Sequence, residues 1–151
     1  MQVATTHRRP TLREPAFQGF LILRTAFVVA PILFGLDKFF NFMVDWPTYL
    51  APWLDRLLPG TAQQFMYVVG AIEILAGLLV LVSPKWGSLV VAVWLAAIIV
   101  NLLTAEPPEY YDVALRDFGL FLAALTLNRL AAAFRATTIA SETHQPLSRA
   151  A

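Results

Sequence analysis

Four apolar segments, each long enough to cross a lipid bilayer as a helix, govern what this 151-residue chain can fold into. They lie at about 17–42, 61–83, 86–104 and 110–131. A helix rises ~1.5 Å per residue, so about 20 residues cover a hydrocarbon core of ~30 Å. Helices are required, because an open strand edge in lipid leaves N–H and C=O groups without partners. Composition agrees: 58% of the residues are hydrophobic and only 14% charged, where an ordinary soluble domain carries about 25% charged. The expected fold is therefore all-α, an integral membrane four-helix bundle built as one unit. A short interfacial segment separates spans one and two.

The flanks are polar. Residues 1–16 form an arm with Arg8, Arg9 and Arg13, and residues 132–151 form a loose tail. The arm resembles the start of a signal peptide. The stretch after it, however, is too long, contains Arg24 and lacks a small-residue cleavage site, so an uncleaved first span is expected. Pro31 falls inside that span, where membrane helices tolerate proline. In the 43–60 connector, Trp46, Tyr49, Leu50, Trp53, Leu54 and Leu57 recur at helical spacing opposite Asp55 and Arg56, and Pro47, Pro52 and Pro59 punctuate it. Tryptophan and tyrosine favour the headgroup level. The connector thus reads as a short helix or broken turn in the interface, an anchor or else a lid over a site between spans.

Lysine and arginine counting gives the orientation. Arg8, Arg9 and Arg13 precede span one, Lys85 lies between spans two and three, and Arg129, Arg135 and Arg149 end or follow span four. The opposite side has Arg56 with Asp45, Asp55, Glu106 and Glu109. The positive-inside rule places both termini in the cytoplasm.

Within these spans stand charges that cost roughly 2.5 kcal/mol or more near a bilayer centre, and such residues usually face a protein interior and pair. Counted from span ends, Arg24 lies about 10 Å above the cytoplasmic start of span one and Glu73 roughly 13–15 Å from the cytoplasmic end of span two. Similar depth makes an Arg24–Glu73 ion pair the simplest expectation, with a proton or solute relay as the alternative. Near the outer end, Lys38, Asn101, Asp112, Arg116 and Asp117 come to one level, and Asp112 and Arg116, four apart, share a helix face. Asp37 points away from Arg24 and belongs near the rim or a different neighbour. The outer group has two readings. It is mutually satisfied glue between helices, or a shallow site for an anionic or quinone-type head group walled by Tyr110, Tyr111 or Trp46. Gly70 and Gly77 on span two, and Gly119 with Ala123 on span four, are expected to allow close helix approach.

Several classes fall away. The chain has no Cys, which removes dithiol chemistry, disulfides, thiolate metal sites and iron–sulfur clusters within it. His7 and His144 both lie in the polar tails, so an intramembrane bis-histidine haem is excluded. No basic run exceeds Arg8-Arg9 and the net charge is +1, so nucleic acid is not an expected partner. No catalytic nucleophile, metal site or cofactor motif stands out.

At these residues the chain resembles the DoxX family of small four-span membrane proteins. The resemblance rests on Arg24, on Gly35-Leu36-Asp37-Lys38-Phe39, on Gly70-Ala71-Ile72-Glu73 through Gly77, and on Asp112-Val113-Ala114-Leu115-Arg116-Asp117, over about residues 17–131. It implies a bacterial inner-membrane protein with a four-helix bundle. Relatives include small subunits of quinone-linked oxidoreductases acting on thiosulfate, and membrane scaffolds tied to thiol or oxidative stress. Family likeness fixes architecture better than chemistry. The expected function is a non-catalytic scaffold or accessory subunit of a redox or stress-related membrane complex, with the bilayer, a membrane or peripheral protein, and a second copy of itself as candidate partners. The alternative is a quinone-binding subunit of an oxidoreductase such as thiosulfate:quinone oxidoreductase. A bound quinone or a cofactor-bearing partner would then supply the redox chemistry.

Overall fold

The computed structural model describes residues 14–105 and 110–143. His7, Arg8, Arg9 and Arg13 of the arm, Glu106 and Glu109, and His144 and Arg149 lie outside the described residues. The elements in chain order are α1 (Pro15–Asp37), a 3-10 turn (Trp46–Tyr49), α2 (Pro52–Leu57), α3 (Ala62–Val82), α4 (Pro84–Thr104) and α5 (Tyr111–Thr143). Pro15 and Pro84 open their helices in the first turn, where a missing N–H costs nothing. A capping box starts α3: the Gln64 N–H donates to the Thr61 hydroxyl and the Thr61 N–H donates to the Gln64 side chain. Two otherwise orphaned donors are thereby satisfied.

Helices α1, α3 and α4, with the Tyr111–Arg135 part of α5, are long and apolar enough to cross a membrane. They close a ring, α1 on α3, α3 on α4, α4 on α5 and α5 back on α1. Phe27, Val80, Leu95, Ala124 and Leu127 fill its interior. Leu33, Leu75, Val93 and Leu115, one from each spanning helix, remain exposed. Such an apolar outer surface suits lipid rather than water.

Glycines set the helix spacing, since lipid is as apolar as leucine and association must come from close packing. A Cβ on Gly35 would sit 2.6 Å from the Gly70 carbonyl oxygen, and one on Gly77 2.9 Å from Ile32 and 3.0 Å from the Val28 carbonyl oxygen. Helices α1 and α3 therefore touch backbone to backbone. Gly77 and Gly70 do what their sequence positions suggest, but Gly119 does not. Open space surrounds it on an exposed face of α5, because the buried face carries Ala114, Asp117, Ala124, Leu127 and Ala131.

Two boundaries and the seating of the connector differ from the sequence reading. Span one ends as a helix at Asp37, not near 42, because the Phe42 and Met43 amides bond to the Asp37 carboxylate instead of to carbonyls one turn back. Asn41 takes the left-handed conformation, φ 50°, which asparagine tolerates better than most residues. At the other end α5 continues to Thr143 instead of loosening at 132; Ala131, Ala132, Ala133 and Ala136 are strong helix formers. The connector folds back on the bundle as well as sitting at its end, since Leu50 packs with Met66 and Val69. Helix α1 runs through Pro31 without a break.

Candidate functional site

Asp37 organises the site. A carboxylate at the last residue of a helix faces the negative end of the helix dipole, so it needs specific donors. The loop that follows supplies them. The Phe42 N–H donates to Oδ1 at 3.1 Å, the Met43 N–H to both oxygens at 3.1 and 3.2 Å, and the Trp46 indole N–H to Oδ2 at 2.7 Å. The chain is wound around one buried carboxyl group, and the Trp46 ring is turned back towards α1.

Beneath that ring lies Lys38. Its Nζ is 2.7 Å from Glu73 Oε2 and 3.6 Å from the Trp46 ring centroid. The ammonium is thus held between a carboxylate and an aromatic face, both favourable for a cation. Close approach of α1 and α3 makes this geometry. A Cβ on Gly70 would lie 3.2 Å from Lys38 Cβ, and Glu73 stands one turn further along the same face of α3. Asp117 on α5 lies within electrostatic reach of both Lys38 and Glu73. From α4, the buried Trp94 indole nitrogen is directed at Glu73. All four spanning helices therefore contribute to one polar layer. Lys38 is 4% exposed, Glu73 8% and Asp117 7%.

Several expected contacts are corrected. Glu73 pairs with Lys38, not with Arg24. Arg24 Nη2 donates to the Leu81 carbonyl, eight residues further along α3 than Glu73, about 12 Å of rise. Counting depth from span ends assumes flush helices. The glycine contacts instead slide α1 so that its first turns overhang the end of α3.

The outer group of five also divides. Lys38 and Asp117 belong to the buried layer. Asn101 does not: its Oδ1 accepts from the Ala51 N–H at 2.9 Å and its Nδ2 donates to the Tyr49 carbonyl at 2.7 Å. It clamps the connector to α4. Asp112 is exposed, and Arg116 turns from it to Asp117, Nε to Oδ1 3.4 Å, with a side chain 67% exposed. The outward face of α5 holds both residues too far from the ring interior for the cluster to form as a unit. Of the aromatic walls, only Trp46 covers the layer. Tyr110 packs on Tyr49 at 4.6 Å and donates to the Thr48 carbonyl, while Tyr111 is exposed.

Sequence reasoning passed over Asp37 as a site residue and did not single out Trp94. Asp37 was detectable: an acid at a helix C-terminus is out of place electrostatically and signals dedicated donors nearby. Trp94 sits in an apolar run without periodic contrast, and nothing local marks its inward direction.

The DoxX family model matches residues 19–104, more than half of the chain, and the chain belongs to the DoxX family. No curated protein and no solved structure matches it. The matched stretch contains Asp37, Lys38, Trp46, Glu73, Trp94 and Asn101. It stops before Asp112, Arg116 and Asp117, short of the 131 to which the sequence resemblance extended.

Proposed function

We propose that this DoxX protein is a non-catalytic scaffold or accessory subunit of a redox- or stress-related complex in the bacterial inner membrane, with both termini cytoplasmic. One observation carries the reading: the deepest charges are spent on each other. Lys38 Nζ bonds to Glu73 and is roofed by Trp46, so its charge is matched within the bundle and it is closed off from the surface. Buried polar groups of this kind fix helix register, and the protein's working surface is then its exterior. The orientation is supported by Arg24, Lys85, Arg129 and Arg135 at one end of the bundle, against Arg56 and Arg116 among Asp45, Asp55 and Asp112 at the other. Affinity purification in mild detergent tests the proposal. A stoichiometric protein partner should be recovered, and a lone protein with its own enzymatic activity would remove the idea.

A second reading, a quinone-binding subunit, has one specific support. The buried Trp94 indole N–H beside Glu73, with Asp117 nearby, supplies a donor suited to a quinone carbonyl and two carboxyl groups suited to handling the protons of its reduction. Lipid extraction of the same preparation decides between them. Quinone retained by the wild type and lost in Trp94→Phe with folding intact favours this reading.

A further inference from the structure

The turn after α1 holds the largest run of exposed apolar side chains in the described molecule. Phe40 is 78% exposed, Phe42 90% and Met43 57%, with Phe39 beside them at 40%. Its two polar side chains face inward: Lys38 to Glu73, and Asn41 Nδ2 to Gln63 Oε1 at 2.6 Å. A turn meeting water would show the reverse pattern.

The backbone amides are closed as well. Six consecutive amides, Lys38 to Met43, all have acceptors within the chain. Lys38 N–H donates to the Phe34 carbonyl, Phe39 to Leu36, Phe40 and Asn41 to Asp37, and Phe42 and Met43 to the Asp37 carboxylate. Hydrocarbon demands that of N–H groups outside a helix, because nothing there replaces a missing partner.

Position agrees with this. The Phe39 ring stacks on Tyr67 at 5.4 Å with planes 1° apart. Tyr67 is five residues inside the start of α3, about 7 Å of rise. The Lys38 carbonyl accepts from Gln63 Nε2. The turn is therefore level with the first turns of an apolar span, not beyond it. It also continues the exposed stripe Val29, Leu33, Leu36 on α1.

We propose that Phe39–Met43 is a lipid-embedded turn, with Phe40, Phe42 and Met43 seated among acyl chains and Asp37 accepting from the amides of the turn they hang from. The segment is an interaction surface for the bilayer itself. Through the Asp37–Trp46 hydrogen bond, its seat in lipid also holds the ring that covers Lys38.

The chain contains no Cys, so single-cysteine variants take a nitroxide label without further engineering. Phe42→Cys and Phe40→Cys, each labelled in phosphatidylcholine–phosphatidylglycerol vesicles, are compared with Leu33→Cys on the lipid face of α1. The expected result is collision with oxygen in excess of collision with a water-soluble nickel chelate, in the same sense as at Leu33. A nickel preference at both positions would place the turn in water and overturn the proposal. Exclusion of both reagents would overturn it too, by showing a protein partner or second copy over the turn. Both substituted residues are on the surface, and retention of wild-type helicity by circular dichroism qualifies each variant.

Discussion

Arg24 lies on α1 and Lys38 caps its C-terminal end, and each reaches across to α3, yet the structure treats them in opposite ways. Lys38 is enclosed, ion-paired to Glu73 and covered by Trp46. Arg24 is half-buried, donates to a single backbone carbonyl and lies 6.0 Å from the Phe20 ring centroid. Depth is the difference. Lys38 extends inward to a carboxylate near the middle of α3, where a charge without a counter-charge is expensive. Arg24 stands at the end of α3, where its long side chain can snorkel towards the headgroups. A cation within a span thus requires a partner of opposite charge only when it cannot reach the rim.

Glu73→Ala breaks this comparison most severely. It strands a buried ammonium, and removal of one partner of a buried pair costs about 3–5 kcal/mol. Expression and thermal stability in detergent should fall accordingly. Joint replacement, Lys38→Met with Glu73→Leu, should recover most of the loss, because an apolar pair of similar volume avoids the desolvation of both charges. In double-mutant cycles Glu73→Ala should couple to Lys38→Met and add independently to Arg24→Ala. Coupling to Arg24 instead would restore the pair expected from depth alone.

That reversal shows what was legible in the sequence. Four spans, their helical nature and the importance of Lys38 and Glu73 follow from hydropathy and from the rarity of intramembrane charge. The partnership does not, because it depends on how far α1 slides against α3. Gly35 and Gly70 set that slide by backbone contact. Sequence marks glycines as able to pack closely, but not which glycine meets which. Asn101 shows the same limit: its level was readable, its direction was not, and its amide reaches the connector backbone at Tyr49 and Ala51. Periodicity in α4 could not separate these outcomes, as its apolar residues surround the helix.

A smaller effect is expected at Asp37, which holds Trp46 over Lys38. Asp37→Asn retains one acceptor oxygen and loses the charge, so its hydrogen bonds to Phe42, Met43 and Trp46 weaken together. A loss of about 1–3 kcal/mol is expected. Hydrogen exchange provides the sharper check: amides of 42–46 should exchange faster, while those of α4 keep wild-type protection. Uniform acceleration over the whole bundle would mean that Asp37 supports the fold at large rather than the cap.

Arg24→Ala should have the smallest consequence. Leu81 is in the last turn of α3, where helix carbonyls have no partner one turn ahead, so Arg24 acts there as a C-terminal cap from a neighbouring helix. Cations at helix C-termini are worth about 0.3–1 kcal/mol at exposed sites, and water at the rim can replace the donor. The expected drop is within that range, with Arg24→Lys recovering part of it, since an ammonium can reach the same carbonyl. Thermal unfolding of the two variants beside Glu73→Ala places all three on one scale. If Arg24→Ala were as damaging as Glu73→Ala, rim access could not be what separates these two cations, and Arg24 would have to be buried in the membrane-embedded protein.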